Sequence, residues 1–151
     1  MAHPFPHRYL VAATASPAGD ILLTSPNLPP LPTATPAEFG GPGDRWSPET
    51  LFVAAVADCY LLTFRGIAAA SKLAWTSIVC DVTGTLDRVD HITRFTEVTV
   101  RARLEIPDPS AEARAQRILL KAEETCLITR SLTSVVHLDA QVQILTPMLK
   151  S

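Results

Sequence analysis

The residues in this chain most capable of chemistry are two of its three cysteines, Cys59 and Cys126. Cys59 lies within the apolar segment AAVADCYLLTF, and Cys126 lies within KAEETCLITRSL. A thiol in apolar surroundings has a raised pKa and is inert, so Cys59 needs a cation from elsewhere to act as a nucleophile. The nearest charged candidates upstream are Arg45 and Glu49, in GPGDRWSPE. The third cysteine, Cys80, occupies the inward face of a predicted strand, where we expect a small buried hydrophobe.

A long helix that follows Ser47 must position Cys59. Ser47 is a good N-cap, Pro48 suits the first helical position, and Glu49 suits the positive end of the helix dipole. We predict that this helix runs to about Ser71, and its segment Leu51–Leu62 is apolar on nearly every side. A helix that is apolar all round is buried all round, so either a sheet wraps it or a second copy of the protein covers it.

The spacing along this helix indicates a site that is shared between two chains. Glu49 and Cys59 are ten residues apart, which is about 15 Å along the axis, so they cannot touch within one helix. If Arg45 and Glu49 serve Cys59, the natural arrangement is two antiparallel copies of the helix, with the start of one beside the middle of the other. The composition also favours a partner subunit, because 47% of the residues are hydrophobic.

A hairpin and a long loop precede the helix. Residues 8–25 alternate apolar and polar positions around a Pro-Ala-Gly-Asp turn, which predicts a β-hairpin. Residues 26–48 contain seven of the 13 prolines and three of the 6 glycines, which excludes a helix or an inner strand. Loops of this length are often functional, and Phe39 and Trp46 give this one side chains with which to pack. The alternative is a disordered spacer.

Beyond the helix, the patterns predict two long strands, a second helix and a last strand. Residues 76–86 and 95–106 alternate and are joined at 87–90 as an antiparallel hairpin. The second helix opens near Asp108, and the last strand covers residues 136–144. We therefore expect one α+β domain covering all 151 residues. In it, a mainly antiparallel sheet packs on a long buried central helix and on a second, amphipathic helix.

Composition excludes several classes of partner. The 13 positive and 15 negative side chains give a formal net charge of −2, which argues against nucleic acid or an anionic membrane as the main partner. The longest apolar stretch falls short of the ~20 residues that span a bilayer. The N-terminus lacks the features of a secretory signal, and the widely spaced cysteines do not make a disulfide scaffold, so we expect a cytoplasmic protein. The histidines lack metal-ligand spacing, so neither a metal nor another cofactor is expected.

Two motifs carry a resemblance to a known family. In the first, PE-x-LF-x-A-x-x-x-x-C, Glu49 stands ten residues before Cys59; in the second, Cys126 lies in an AE-x-x-C-LI-x-x-SL context. With the strand pair between them and VHLDAQV after them, residues 36–145 resemble the OsmC/Ohr family of thiol-dependent organic hydroperoxide reductases and their relatives. The resemblance implies the fold of that family, an intertwined homodimer with its sites at the subunit interface.

The resemblance also implies roles for individual residues. Cys59 matches the peroxidatic cysteine of the family, Cys126 its resolving cysteine, and Glu49 the carboxylate that holds the active-site arginine. Arg45 is our choice for that arginine, although some family members supply it from the N-terminal hairpin, where this chain offers Arg8. Four aromatic residues are then expected to line an apolar pocket for bulky organic peroxides: Phe39, Trp46, Phe52 and Tyr60.

The implied function is the reduction of organic hydroperoxides to alcohols by a two-cysteine cycle. The Cys59 thiolate attacks a peroxide oxygen and becomes a sulfenic acid, which condenses with Cys126 to form a disulfide. A lipoyl-type or similar dithiol then exchanges the disulfide away. The chain represents a divergent branch, because Asp58 precedes Cys59 where the family usually has a small neutral residue. Glu123 and Leu127 likewise replace a histidine and a proline of the better-known peroxidases.

Two other functions remain open on the sequence. One is an OsmC-like protein that uses Cys59 as a redox sensor or in binding a small molecule. The other is a different enzyme on a long helix wrapped by an antiparallel sheet, such as a hotdog-type thioesterase, which would not need Cys126. The distance between the two cysteines discriminates among these functions, because a disulfide requires Cα atoms within about 7 Å.

Overall fold

The computed structural model describes residues 2–145 as two compact units, of which the first ends at Leu51 and the second begins at Phe52. The first unit contains a three-stranded antiparallel sheet with the strand order β1 (Ala12–Thr14), β2 (Ile21–Thr24), β3 (Leu31–Thr33). Strands β1 and β2 confirm the predicted hairpin.

The segment predicted as an irregular loop contains two short elements, so that prediction is wrong in part. Strand β3 pairs with β2, and a 3₁₀ turn follows at Ala37–Phe39. Pro32 is tolerated within β3 because this strand lies at the edge of the sheet, where a missing N–H removes no necessary ladder hydrogen bond.

The long helix α1 (Pro48–Ala70) begins as its sequence predicts and ends one residue before the expected position. The Oγ atom of Ser47 accepts the backbone N–H of Thr50 at 3.1 Å, and Oγ1 of Thr50 accepts the backbone N–H of Ser47 at 2.8 Å. This reciprocal pair satisfies donors that a helix start otherwise leaves free. The helix stops where Lys72 adopts a left-handed φ of 54°, and the N–H of Leu73 reaches back to the carbonyl of Ala68 at 2.9 Å.

The second unit contains a three-stranded sheet of mixed direction, in the order β4 (Ser77–Val89), β5 (Ile92–Ile106), β6 (Val135–Ile144). Strands β4 and β5 form the predicted antiparallel hairpin. They turn at Asp90 and His91 rather than over residues 87–90, because both residues adopt the positive φ that a tight hairpin turn requires. Strand β6 runs parallel to β5, which a helical crossover between them allows. The antiparallel expectation therefore holds for the other strand pairs but not for this one.

That crossover holds the second predicted helix. It opens with a 3₁₀ turn at Pro109–Ala111, where the carboxylate of Asp108 accepts the N–H of Ser110 at 2.9 Å. It continues as α2 (Glu112–Thr125), and a short helix, α3 (Leu127–Arg130), follows before the last strand.

The core of the second unit lies between one face of its sheet and the buried sides of α1 and α2. Its fully buried members include Val56, Tyr60, Phe64, Ala68, Val98, Val100, Leu104, Ile106, Ala115, Leu119 and Ala122. The members from α1 recur every four residues and form a single stripe, whereas Leu62 on the same helix keeps 54% of its surface exposed. A single protomer therefore does not bury α1 on all sides.

Contrary to the expectation from the longest apolar stretch of the sequence, the whole of helix α1 is long and apolar enough to cross a membrane by length and composition, with a mean hydropathy of 1.6 over its best window. Its stripe of buried residues, however, packs into a core of sheet and helix. The core helix of a globular protein has the same properties.

We expect Gly84→Ala to destabilise the second unit, because a Cβ at Gly84 would lie 2.7 Å from Cγ2 of Val53 and 3.0 Å from Cε1 of Phe95. Overpacking of this kind costs roughly 1–3 kcal/mol of unfolding free energy, which urea denaturation followed by circular dichroism measures. Gly66→Ala is the matched control, since a Cβ at Gly66 meets nothing within 4 Å and alanine favours a helix. Equal stability of the two variants would contradict the close approach at Gly84.

Candidate functional site

The structure brings together the two cysteines that the sequence singled out. Cys59 lies midway along α1 and is half-buried, while Cys126 occupies the junction of α2 and α3 and is fully buried. The two thiols lie close enough for each to influence the ionisation of the other. Both residues are free thiols in this structure.

Hydrogen-bond donors surround the Cys59 sulfur. Burial opposes its ionisation, but the backbone N–H of Ile128, the Cys126 thiol, the Thr63 hydroxyl and the backbone N–H of Leu127 together bring the pKa of Cys59 below the usual thiol value. The Thr63 Oγ1 atom lies 3.8 Å from the Cys59 sulfur, one turn further along α1. A thiolate accepts hydrogen bonds from all four groups, so each of them favours the charged form.

The two backbone donors are available because they belong to the first turn of α3. The first hydrogen bond within this helix joins the N–H of Arg130 to the carbonyl of Cys126 at 3.1 Å, which leaves the preceding N–H groups without a partner inside the helix. The Thr129 hydroxyl also donates to the Cys126 carbonyl, at 3.0 Å, and holds the turn together. The local fold after Cys126 therefore directs Leu127 and Ile128 toward the sulfur of Cys59.

The two cysteines differ in their tendency to ionise. Burial raises the pKa of Cys126; the N–H of Thr129 opposes this effect, and the adjacent sulfur of Cys59 adds to it. The result is a more acidic Cys59 next to a Cys126 that keeps its proton. This division suits a nucleophile and a second thiol that reacts after it.

The surroundings of Cys80 and Tyr60 indicate structural rather than chemical roles. Burial raises the pKa of Cys80 to about 11, and nearby charge at Asp81 adds to the effect, so Cys80 stays a thiol at neutral pH. The hydroxyl of Tyr60 donates to the carbonyl of Leu119 at 3.0 Å, and only 1% of the residue is exposed. The structure thus places Tyr60 in the core rather than in a substrate pocket, because its ring fills the space between α1 and α2.

In the first unit, Glu49 and Phe39 line one cavity of about 360 Å³ whose walls are mostly apolar. The Oε1 atom of Glu49 is buried and has no hydrogen-bond partner among residues 2–145. A buried polar atom without a partner is costly, so this carboxylate is suited to receive a cation.

Arg45 does not occupy that position within the protomer. Its Nε atom lies 3.0 Å from Oδ2 of Asp20, and Nη1 lies 3.4 Å from Oδ2 of Asp44, in pairs that are largely exposed. Trp46 is 49% exposed, and its carbonyl accepts the N–H of Ala34 at 3.0 Å. The association of Arg45 with Glu49 that the sequence suggested is therefore not formed in one protomer.

Phe52 has a partner that the sequence did not reveal. Its ring stacks on that of Phe95 with centroids 4.4 Å apart and an interplanar angle of 9°. Sequence reasoning also missed Thr63, although its spacing of four from Cys59 places both residues on one face of α1. No cluster of three or more metal-ligating side chains occurs in the part of the chain that the structure describes.

We expect Cys59 to be alkylated by iodoacetamide faster than Cys80 at neutral pH, because the pKa of Cys59 is lowered and that of Cys80 is raised to about 11. Mass spectrometry of peptides from the reduced protein measures both rates as a function of pH. The Cys59 rate should approach its plateau at a lower pH than the Cys80 rate. A faster reaction at Cys80 would contradict the arrangement of donors around Cys59.

Comparison with known proteins identifies similar sequences. The family model described as OsmC-like protein matches residues 41–141. The uncharacterized protein YmaD of Bacillus subtilis (strain 168) is 23% identical over 112 residues, which cover 72% of this chain and 75% of YmaD.

Solved structures of similar fold cover nearly the whole chain. The OsmC-like protein VCA0330 of Vibrio cholerae has a TM-score of 0.82 at 18% identity, with 89% of this chain and 99% of that chain covered. The organic hydroperoxide resistance protein OsmC of Legionella pneumophila has a TM-score of 0.73 at 22% identity, with 93% and 100% covered. An organic hydroperoxide resistance protein of Elizabethkingia anophelis has a TM-score of 0.72 at 19% identity, with 93% and 99% covered. These likenesses confirm the α+β fold with its long helix.

Proposed function

Because this chain belongs to the OsmC-like family, we propose that it reduces organic hydroperoxides to alcohols with Cys59 and Cys126 as its redox pair. The observation that carries this proposal is the proximity of an acidified Cys59 sulfur to the protonated thiol of Cys126. Two neighbours in fold, from Legionella pneumophila and Elizabethkingia anophelis, are named organic hydroperoxide resistance proteins, which supports the same chemistry here.

The proposed cycle begins at the Cys59 thiolate. Its sulfur attacks one peroxide oxygen, the O–O bond breaks, and the alkoxide leaves and takes up a proton to become the alcohol. Cys59 is now a sulfenic acid. The sulfur of Cys126 attacks the sulfur of Cys59, a disulfide forms, and the hydroxyl leaves with the Cys126 proton as water.

A dithiol reductant closes the cycle. One of its thiolates attacks the disulfide and forms a mixed disulfide with the protein. The second thiol of the reductant then attacks this mixed disulfide, so both cysteines return to the thiol state and the reductant becomes a disulfide. A lipoyl-type or similar dithiol suits this step, because two thiols on one molecule complete the exchange without a further reactant. We place this chemistry in the cytoplasm, where reduced dithiols are maintained.

The proposal includes a homodimer whose sites combine residues of two chains. A second chain would cover the exposed apolar side of α1, which includes Leu62, and a cation from it would satisfy the buried Oε1 atom of Glu49. Arg45 remains our choice for that cation, because an exposed pair such as Arg45–Asp20 contributes little stability and is readily exchanged. An arginine held by Glu49 would bind the peroxide oxygens. The apolar cavity beside Phe39 suits an organic peroxide better than hydrogen peroxide.

We expect the protein to consume cumene or tert-butyl hydroperoxide with dihydrolipoamide as reductant, and Cys59→Ser to reduce this activity to background. Without the dithiol, Cys126→Ser should be oxidised once by the peroxide and accumulate the sulfenic acid at Cys59, which dimedone traps. The rate should fall as the pH drops through the lowered pKa of Cys59, because protonation removes the nucleophile.

Cys80→Ser is the matched control in this assay, and it should retain full activity because Cys80 has no part in the cycle. Equal rates for the wild type and Cys59→Ser would contradict the proposal. A wild-type protein whose Cys59 is oxidised once by the peroxide but is not reduced by dithiols would instead act as a redox sensor.

We expect a dimer of twice 16.3 kDa in light scattering, and we expect Leu62→Glu to dissociate it, because the substitution places a charge on the apolar side of α1. Val79→Glu serves as control, since Val79 is similarly exposed, at 49%, but lies on the outer face of β4. Peroxidase activity should fall with the dimer fraction in the Leu62 variant alone. A monomeric wild type with full activity would contradict the shared site.

A further inference from the structure

We propose that Thr63 is a positioning residue of this site: its hydroxyl holds the Cys59 sulfur against the turn that follows Cys126. The inference deepens the proposed function, since it concerns the same sulfur, and its peroxidase readout rests on that function. Its chemical readout, the reactivity of Cys59, does not.

The geometry within α1 supports this role. Thr63 lies four residues after Cys59, so both side chains occupy one face of the helix, and Oγ1 and Sγ are 3.8 Å apart. In helices, a threonine hydroxyl commonly bonds the carbonyl four residues back; here its partner is the sulfur four residues back. A thiolate has no hydrogen to donate, so once Cys59 ionises, the hydroxyl of Thr63 must be the donor.

The second side of the sulfur is held by another element. The backbone N–H groups of Leu127 and Ile128 approach it from the first turn of α3, and the thiol of Cys126 lies beside them. A side chain free to rotate would lose these contacts in its other staggered rotamers. The hydroxyl of Thr63 therefore selects the rotamer in which Cys59 faces both the backbone donors and the cysteine with which it pairs.

The stabilisation of the Cys59 thiolate can be assigned to particular groups. All the donors that favour the thiolate, in α1 and in the turn after Cys126, belong to one protomer. The titratable group that faces the sulfur among the described residues is Cys126. Within one protomer, the groups that favour the thiolate are therefore neutral hydrogen-bond donors.

The test compares Thr63→Val with Thr63→Ser in the full-length, reduced protein. Valine keeps the shape of threonine and removes the hydroxyl, whereas serine keeps the hydroxyl. We expect the valine variant to shift the pH profile of iodoacetamide alkylation at Cys59 to higher pH. At neutral pH, its rate should be roughly threefold to tenfold lower, as the loss of one weak hydrogen bond at 3.8 Å predicts. The serine variant should retain the wild-type profile.

Thr83→Val is the matched control, because Thr83 lies on the exposed face of β4 and its hydroxyl has no contact with Cys59. If circular dichroism shows that the valine variant is not folded, Thr63→Ala replaces it in the same comparison with serine. An unchanged alkylation profile in the variant without a hydroxyl would overturn the proposal, as would a serine variant that behaves like valine.

The peroxidase assay distinguishes this inference from the function on which it rests. We expect kcat/KM of Thr63→Val for tert-butyl hydroperoxide to fall by the same factor as its alkylation rate, with no change in Thr63→Ser. A protein without peroxidase activity whose Cys59 profile still shifts would reject the proposed function and retain the role of Thr63. An active protein whose profile does not shift would reject the role of Thr63 alone.

Discussion

The constraint on which the site depends is that one helix must serve both the core and the chemistry. The stripe of α1 that ends in Phe64 and Ala68 is buried against the sheet of the second unit. Cys59 lies beside that stripe, next to the buried Tyr60, and is therefore only half-buried. Packing of the stripe fixes the rotation of the helix, so it also fixes the direction in which the sulfur points. A different rotation of α1 would disrupt the packing of the core and would also move Cys59 away from Cys126.

The acidity of Cys59 follows from local backbone structure rather than from a charged neighbour within the described chain. The first N–H groups of α3, like those of any helix, have no partner within the helix, and those of Ile128 and Leu127 lower the pKa of Cys59. The same turn carries the second thiol of the pair. The segment that supplies Cys126 therefore also favours the thiolate of Cys59. Movement of this segment would change both the position of the Cys126 thiol and the pKa of Cys59.

Much of the fold follows from the sequence, and the exceptions have physical causes. The cap at Ser47 and the alternation in β5 are local patterns, and both are confirmed. Alternation has a period of two in either strand direction, so it does not reveal that β6 runs parallel to β5. Helix α3 has only four residues, too few to show a helical period. The pair between Arg45 and Asp20 joins exposed residues far apart in the chain, and no periodic pattern encodes such a contact.

The same reasoning explains why the sequence identified the two cysteines but not the complete site. A spacing of ten residues between Glu49 and Cys59 already excludes their contact within one helix, and the structure adds that Oε1 of Glu49 has no partner among residues 2–145. A buried carboxylate oxygen without a partner is costly, and a cation beside it would offset that cost. Arg45, the arginine nearest in sequence to Glu49, is paired with Asp20 and does not supply such a cation within the protomer. The apolar side of α1 that includes Leu62 likewise has no cover within the protomer. Helix α1 thus carries both a carboxylate oxygen without a partner and an uncovered apolar side, and one partner subunit would supply the cation and the cover together.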